Sequence, residues 1–243
     1  MSFRANPLSI VCGVIAAPTV GEMRDAVIRA ASGIIELRID ALEYIGVETI
    51  EALSSLIKEV RRAGKKVIVT LRDAGEGGRY DGDPEEKASI LLKLARSRPD
   101  YIDVEASNPV AGELAPKILG LGVSTIVSSH HLNRTLSVDE IDAIIDRATE
   151  LVKHHPRPGA GLLIKVVYTC RSPLDELPAM EAMASYTGKL ISFAVGENCI
   201  ISRLLAPFIG APFTYAHAHG GPQAPGQPSV TEVVELWREL GLL

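Results

Sequence analysis

The chain has 243 residues, of which 47% are apolar and 23% are charged, and its formal net charge at pH 7 is −5. This composition is typical of a globular protein with a sizeable core, and no run of basic residues predicts a nucleic-acid surface. No apolar stretch approaches the ~20 residues of a membrane span, and residues 1–7 lack the apolar core of a signal peptide, so we expect a cytoplasmic protein without membrane contacts.

The cysteines are odd in number and scattered along the chain. Cys12, Cys170 and Cys199 each lie in or beside an apolar segment, and none belongs to a C-x-x-C pair. This distribution indicates neither a disulfide framework nor a cysteine metal site. The sequence therefore predicts three buried free thiols.

Strand-like and helix-like segments alternate along the whole chain. The predicted strands, bounded by turn residues and rich in β-branched side chains, are residues 8–15, 33–40, 66–72, 100–105, 123–129, 162–168, 190–195 and 212–216. The predicted helices that follow them are residues 19–31, 47–63, a segment that begins at Asp83-Pro84, and residues 110–119, 138–154, 174–186, 199–208 and 230–240. Asp83 and Ser137 are expected to cap their helices.

Eight strand–helix units of roughly 30 residues each, with no linker between them, predict a parallel (β/α)8 TIM barrel that forms a single domain over residues 1–243. The alternative α/β architecture is a doubly wound open sheet. That architecture usually carries a glycine-rich phosphate-binding turn after an early strand, and neither common form of this turn occurs in the sequence. The barrel is therefore favoured.

One lysine interrupts the apolar strand of residues 162–168. Because alternate side chains of a strand share a face, Lys165 points the same way as Leu163 and Val167, into the core. Burial disfavours the charged form of an amine, and a neutral amine can attack a ketone to form an imine. The alternative explanation is a lysine that extends its amine to the solvent or forms an ion pair.

Polar side chains collect at the carboxyl ends of the predicted strands, where the active site of a TIM barrel lies. They are Glu36, Arg38, Arg72, Glu76, Asp103, Glu105, His130, His131, Lys165, Arg203, His217 and His219. Glu36 and Arg38 could pair with each other or bind a polar substrate. Two arginines that face one cavity repel each other unless an anion or acidic side chains lie between them, so a substrate carboxylate is expected beside Arg72 or Arg203.

His130 is placed to act as a general base, and Glu76 could orient its ring. Lysine, histidine and glutamate together are the residues that imine formation and proton abstraction need.

The ordered set of motifs resembles the type I 3-dehydroquinate dehydratases, and the resemblance extends from Leu8 to Gln227. The matching stretches are Glu36-Leu37-Arg38-Ile39-Asp40, Thr70-Leu71-Arg72 with Glu76-Gly77-Gly78, Ser128-Ser129-His130 with Thr135, Lys165, Gly196 with Ser202-Arg203, and Ala224-Pro225-Gly226-Gln227. Three positions depart from the family pattern. Cys199 replaces a common glycine, Gln223 replaces a serine, and His131 replaces an aspartate, which leaves open which of the adjacent histidines faces the ligand.

The resemblance implies a hydro-lyase that removes water from 3-dehydroquinate to give 3-dehydroshikimate, in the shikimate pathway. In such an enzyme Lys165 would form the imine, His130 would move the proton and Glu76 would orient it. Arg203 would hold the carboxylate, and the further substrate-binding residues would be Glu36, Arg38, Arg72, Gln223 and Gln227. No metal or cofactor is implied, and a homodimer is expected.

Other functions remain open at this point. A class I aldolase also places an imine lysine on strand six, but it cleaves carbon–carbon bonds. A metal-dependent hydrolase is suggested by His217-Ala218-His219 together with His130 and His131, although this order of ligands is unusual for such barrels. A sugar-binding or scaffolding barrel is the alternative without chemistry, and it leaves the buried lysine and the two arginines unexplained.

Overall fold

The computed structural model describes residues 6–153 and 161–243. Its strands are β1 (Val11–Ile15), β2 (Ile34–Arg38), β3 (Lys66–Thr70), β4 (Tyr101–Glu105), β5 (Ser124–His131), β6 (Leu162–Thr169), β7 (Leu190–Val195) and β8 (Thr214–His219). Its helices are α1 (Val20–Arg29), α2 (Val47–Arg62), α3 (Pro84–Ala95), α4 (Ala111–Gly120), α5 (Val138–Glu150), α6 (Leu177–Ser185), α7 (Ile201–Leu205) and α8 (Val230–Glu239). Every strand is followed by a helix, as predicted.

The strands form one parallel sheet in the order β7-β6-β5-β4-β3-β2-β1-β8. This order wraps the sheet into a nearly closed barrel, which confirms the predicted TIM fold. In the described residues no ladder of hydrogen bonds joins β7 to β8. Side chains span this seam instead, because the rings of Phe193 and Tyr215 lie 6.1 Å apart and Arg203 Nη1 donates to the Tyr215 carbonyl at 3.2 Å.

The helix starts follow the capping signals of the sequence. The Asp83 carboxylate accepts hydrogen bonds from the Glu85 and Glu86 amides, and Ser137 forms a capping box with Glu140, so both predicted caps are confirmed. Ser229 caps α8 in the same manner. No helix in the described ranges has the length and apolarity needed to cross a bilayer.

Several predicted boundaries are wrong because short 3-10 turns replace the ends of strands and helices. The first strand begins at Val11, after a 3-10 turn at Pro7–Ile10, and the seventh helix is reduced to Ile201–Leu205. Helix α5 ends at Glu150, and residue 154, to which the prediction extended it, lies outside the described residues. These turns still satisfy backbone groups locally, so apolar spacing alone does not reveal them.

Alternation along β2 shows how the barrel separates its two faces. Ile35, Leu37 and Ile39 are buried in the layer between the strands and the helices. Glu36 and Arg38, which alternate with them, point into the barrel and are nearly buried there. The predicted division of this strand is confirmed, and it places charged groups at the carboxyl end of the barrel interior.

The prediction of three free thiols is wrong for two of the cysteines. Cys170 follows β6 and Cys199 lies between β7 and α7, and the two form a disulfide, whereas Cys12 is free and buried. The partners are 29 positions apart in sequence, and they meet because β6 and β7 are neighbours in the sheet. The bridge ties the loop after the strand of Lys165 to the segment that leads into the helix of Arg203.

We expect the bridge to be detectable by thiol titration of the unfolded protein. Without reductant the titration should find one free thiol, and after reduction it should find three. Cys170→Ser should lower the free energy of unfolding of the oxidised protein by about 3 kcal/mol, because the crosslink restricts the unfolded chain. The reduced wild type is the matched control and should lose a similar amount. Three free thiols without reductant would contradict the pairing.

Candidate active site

A cavity of about 290 Å³ opens at the carboxyl ends of the strands. Every catalytic or substrate-binding side chain that the sequence predicted lines it, namely Glu36, Arg38, Arg72, Glu76, His130, Lys165, Arg203, Gln223 and Gln227. Its apolar wall is formed by Val14, Leu132, Val167, Phe193, Val195, Tyr215, Ala224 and Pro225. The cavity is therefore a small, mixed site of the kind that binds a polar metabolite.

Lys165 lies at the bottom of this cavity, on β6, and is 6% exposed. Its Nζ is 3.7 Å from Asp103 Oδ2 and 3.9 Å from Glu36 Oε1. Sequence reasoning proposed either a neutral nucleophile or an ion pair, and the geometry combines a buried amine with two neighbouring carboxylates. The two carboxylates offset part of the cost of burying a charged amine. An amine attacks a carbonyl carbon through its uncharged form.

His130, on β5 next to the strand of Lys165, forms a hydrogen-bonded pair with Glu76. Glu76 Oε2 lies 2.8 Å from His130 Nδ1 and also accepts the His130 backbone amide at 3.0 Å. The Ser107 hydroxyl donates to the other oxygen of Glu76. Because Glu76 occupies Nδ1, Nε2 is the ring nitrogen that remains for a ligand, which is the arrangement of an oriented base.

The surroundings of this pair favour the uncharged forms of both residues. Burial lowers the pKa of His130 well below its usual range, and the charges of Arg72 and Lys165 act in the same direction. Burial raises the pKa of Glu76 to about 7, although Arg72 and the Ser107 hydroxyl oppose the change. An imidazole that stays neutral near pH 7 can accept a proton, so the site suits general-base chemistry.

The two adjacent histidines differ in their contacts. His130 lines the cavity, whereas His131 Nε2 lies 3.0 Å from the hydroxyl of Ser129 and is not part of the cavity wall. Burial lowers the pKa of His131 as well, but no carboxylate of the site orients it. Of the two adjacent histidines, which the sequence could not separate, His130 is the one whose side chain lines the cavity.

Arg72 is held by acidic side chains of neighbouring strands. Its guanidinium lies 2.7 Å from Asp103 Oδ2 and 2.9 Å from Glu105 Oε1, and it also donates to the Ser128 hydroxyl at 2.8 Å. Burial opposes its charge, but Asp103 and Glu105 outweigh that effect and raise the pKa of Arg72. The positive charge of Arg72 is therefore balanced by Asp103 and Glu105, so Arg72 does not need a substrate carboxylate as a partner.

Glu36 and Arg38 do not pair with each other. Arg38 donates through Nε and Nη2 to the two oxygens of Asp40, both at 2.8 Å. Glu36 accepts the Thr70 hydroxyl at 2.7 Å. The simple ion pair considered from the sequence is therefore wrong, and each side chain reaches the cavity with a fixed orientation of its own.

Arg203 is the one cavity arginine described here without an acidic partner in hydrogen-bonding distance. It is 1% exposed, and its carbon Cζ lies 4.1 Å above the ring of Phe193. Nη1 donates to the Tyr215 carbonyl, whereas Nε and Nη2 have no hydrogen-bond partner in the described part of the chain. Burial lowers the pKa of Arg203 to about 10, partly offset by Glu176, so the group stays charged near pH 7. A buried cation with two donors that lack partners in the described residues can bind a carboxylate.

Arg203→Lys is expected to raise KM more than it lowers kcat, because lysine keeps the charge but cannot present two parallel donors. The loss in kcat/KM should correspond to about 1.5 to 3 kcal/mol, which is roughly 10- to 150-fold. Steady-state kinetics would measure kcat and KM, and Arg62→Lys, at the exposed last residue of α2, is the matched control.

A substrate analogue with an amide in place of the carboxylate should bind the wild type poorly and lose little more on Arg203→Lys, because both changes remove the same contact. If the two losses add in full, Arg203 is not the partner of the carboxylate.

The two predicted glutamines belong to a loop that covers the cavity. The Gln223 amide N–H donates to Gln227 Oε1 at 2.7 Å, and the Gln223 side chain donates to the Gly221 carbonyl at 3.1 Å. Gly226 adopts a positive φ of 67°, and a Cβ there would clash with the carbonyl oxygen of Gly196. Glycine at position 226 therefore lets the loop pack against Gly196, the residue that follows β7.

The histidines of β5 and β8 do not gather into a ligand set. Across the two described ranges, the only group of three metal-ligating side chains is Cys170, Glu176 and Cys199. The two cysteine sulfurs of that group are bonded to each other, so they are not free thiolates. This geometry gives the metal-dependent hydrolase no support.

A comparison with protein-family models matches residues 11–243 of the chain to the model described as Type I 3-dehydroquinase. The chain belongs to the type I 3-dehydroquinase family. Members of this family are hydro-lyase enzymes. The match covers all eight strands and therefore every residue of the cavity wall.

Two curated relatives resemble the chain over almost its whole length. The 3-dehydroquinate dehydratase of Methanopyrus kandleri is 32% identical over 237 residues, which is 96% of this chain and 100% of the relative. That of Methanocaldococcus jannaschii is 27% identical over 237 residues, which is 94% of this chain and 100% of the relative. The likeness to both extends over almost the whole chain.

Solved structures agree on the fold. The type I 3-dehydroquinate dehydratase of Clostridium difficile superposes with a TM-score of 0.79 at 24% identity. The match covers 97% of this chain and 93% of the Clostridium difficile chain. The enzyme of Aquifex aeolicus has a TM-score of 0.77 at 22% identity, with coverage of 96% and 100%. At these identities the likeness supports the barrel architecture alone.

Sequence reasoning missed several buried residues around the site of this 3-dehydroquinase. Lys87 is 1% exposed and lies 2.7 Å from Asp73 and 2.6 Å from Glu105, behind Arg72. Glu176 accepts the amide and hydroxyl of Ser202, both at 2.7 Å, at the start of α7. Lys87 could have been found, because it lies four and seven positions before the buried residues 91 and 94 on the apolar face of α3. Glu176 gives no comparable signal.

Proposed function

We propose that the protein dehydrates 3-dehydroquinate to 3-dehydroshikimate through an imine on Lys165, as a step of the shikimate pathway. The single observation that carries this proposal is that Arg203 Nε and Nη2, which lack partners among the described residues, lie in the same small cavity as a buried amine and an oriented imidazole. A keto acid with ring hydroxyls fits this combination, since each of its polar groups has a matching group on the wall. Family membership supports the same substrate.

The reaction begins at the Lys165 nitrogen. The neutral amine adds to the ketone carbon, and the resulting carbinolamine loses water to give a protonated imine. Asp103 and Glu36 lie within 4 Å of Nζ, so negative charge is near the nitrogen when it becomes an iminium. The proton released by the ammonium can pass to one of these carboxylates.

His130 then takes a proton from the carbon next to the iminium. The electron pair of that C–H bond moves toward the iminium carbon, and the nitrogen accepts charge as an enamine forms. The enamine expels the hydroxyl group from the neighbouring carbon, and His130 returns its proton so that the group leaves as water. Hydrolysis of the imine by a second water releases the product and restores the lysine.

The remaining side chains are proposed to bind and enclose the substrate. Arg203 would hold the carboxylate through Nε and Nη2. Glu36, Arg38 and Arg72 would contact hydroxyl groups or the charged intermediate, and Gln223 and Gln227 would close the loop over the ligand. No residue in this sequence of steps calls for a metal or an organic cofactor.

We further propose that residues 1–243 act as one barrel domain, in a homodimer located in the cytoplasm. Support for the dimer comes from the family resemblance, and the location is the expectation drawn from the sequence. The Cys170–Cys199 disulfide argues against an ordinary reducing cytosol, because glutathione keeps most cytosolic thiols reduced. Measuring the reduction potential of this bridge against a glutathione buffer would decide whether it persists there.

Turnover of 3-dehydroquinate tests the proposal directly. Purified protein in the presence of a chelator should produce the conjugated enone of 3-dehydroshikimate, which is followed by ultraviolet absorbance and identified by mass spectrometry. Release of pyruvate or a triose would point to an aldolase. Loss of turnover on chelation would point to a metal-dependent hydrolase. Either result would overturn the proposed reaction.

A further inference from the structure

The amine of Lys165 lies over the face of an aromatic ring. Its Nζ is 4.2 Å from the centroid of Tyr215, which lies on β8, separated from β6 by β7 in the nearly closed barrel. Tyr215 is 2% exposed and lines the cavity. Sequence reasoning gave this residue no role, and the dehydration as described above does not use it.

The ring is held firmly in this position. Phe213 and Phe193 pack against it at centroid distances of 5.5 Å and 6.1 Å, and its backbone carbonyl accepts from Arg203. The Tyr215 hydroxyl is buried and has no hydrogen-bond partner in residues 6–153 and 161–243. Packing therefore fixes the orientation of the ring, whereas the hydroxyl makes no hydrogen bond within the described residues. The part of the side chain that contacts the Lys165 amine is the face of the ring.

We propose that Tyr215 is a further catalytic residue, whose ring face stabilises the positive charge on the Lys165 nitrogen while that nitrogen is an iminium. This inference rests on the proposed imine reaction. The negative face of an aromatic ring attracts a cation within ~6 Å of its centroid, and the attraction is largest where water is excluded.

The change of donor number explains why a ring is useful here. An ammonium has three N–H donors and can address both Asp103 and Glu36, whereas a protonated imine has one N–H. On conversion to the iminium the nitrogen therefore loses directed contacts without losing its charge. The ring face needs no N–H, so its stabilisation of the cation persists when the nitrogen has only one N–H left.

A graded series of rings at position 215 tests this role. Phenylalanine, 4-fluorophenylalanine, 3,5-difluorophenylalanine and pentafluorophenylalanine have similar shapes, but each added fluorine withdraws charge from the ring face. The readout is the amount of Lys165 adduct that borohydride traps at steady state with 3-dehydroquinate, together with kcat and KM. Tyr215→Phe keeps the ring and removes only the hydroxyl, so it is the reference for the fluorine series.

Along the fluorine series the trapped adduct and kcat should fall stepwise, by about 5- to 30-fold in total, with little change in KM. Tyr215→Leu should lose as much as the pentafluoro variant. The matched control is the same series at Phe213, which is equally buried and touches the Tyr215 ring but does not line the cavity. That series should be flat.

Three outcomes would overturn the inference. A flat series at position 215 would show that the ring charge is irrelevant, equal slopes at 213 and 215 would show a packing effect, and a large loss in Tyr215→Phe would assign the role to the hydroxyl. Trapping with formaldehyde in place of 3-dehydroquinate reports on the cationic nitrogen of Lys165 alone. A graded formaldehyde series without any 3-dehydroquinate adduct would keep the inference and overturn the proposed function.

Discussion

Lys165→Ala is expected to abolish turnover of 3-dehydroquinate while the protein still binds it. Without the amine no imine forms, so the carbon next to the ketone keeps its ordinary low acidity, and the rate should fall by at least about 10⁴-fold. Binding should persist because Arg203, in α7, and the other polar contacts come from elements other than β6. An ultraviolet assay measures turnover, and calorimetry measures the dissociation constant of the ligand.

Two control variants separate chemistry from folding. Lys117→Ala removes an exposed lysine of α4 and should leave kcat unchanged. Lys165→Met fills the same space without an amine, so it should be as inactive as Lys165→Ala. In both variants Glu36 and Asp103 lose a cationic neighbour, so this effect on stability is common to the two. Turnover that survives in both Lys165 variants would contradict the imine.

His130→Ala should slow turnover by about 10² to 10⁴, the usual contribution of a positioned general base. The reason is that His130 lines the cavity and is oriented by Glu76, whereas His131 is bonded to Ser129 outside the cavity wall. His131→Ala should therefore reduce kcat much less. Steady-state kinetics with 3-dehydroquinate compare the two variants directly.

Imine formation should survive the loss of the base. Borohydride is expected to trap the ligand on Lys165 in His130→Ala, since addition of the amine to the ketone does not require proton removal from the neighbouring carbon. If His131→Ala instead shows the large loss, the end of β5 presents the other ring to the substrate and the assignment of the base is wrong.

The barrel could be predicted because its signals are local and repeated. Apolar spacing changes eight times from a strand period to a helix period, and residues such as Asp83 and Ser137 mark helix starts by their own hydrogen-bonding chemistry. The wrong boundaries lie at 3-10 turns such as Pro7–Ile10. Such a turn contains too few residues for its apolar spacing to be distinguished from that of the neighbouring strand or helix.

The wall of the site could be predicted for a related reason. In a parallel barrel the carboxyl ends of all strands meet, so polar residues there face one cavity whatever their exact partners are. The partners themselves depend on strand register and side-chain reach. Arg38 turns to Asp40 instead of Glu36, and Arg72 is neutralised by Asp103 and not by a ligand.

Contacts between distant elements gave no readable pattern in the sequence. The Cys170–Cys199 bridge depends on the adjacency of β6 and β7 and on loop lengths after each. Tyr215 reaches Lys165 because closure of the sheet brings β8, the last strand in the order, beside β7 and so near β6. Both features follow from closure of the barrel, which is a property of the whole sheet.

Borohydride trapping followed by peptide mass analysis tests the central claim most directly. Protein incubated with 3-dehydroquinate and borohydride should lose activity and gain the mass of one reduced ligand on the peptide that contains Lys165, because reduction converts the imine into a stable secondary amine. Omission of either reagent should leave both mass and activity unchanged. An adduct on any other residue, or inactivation without an adduct, would contradict the account.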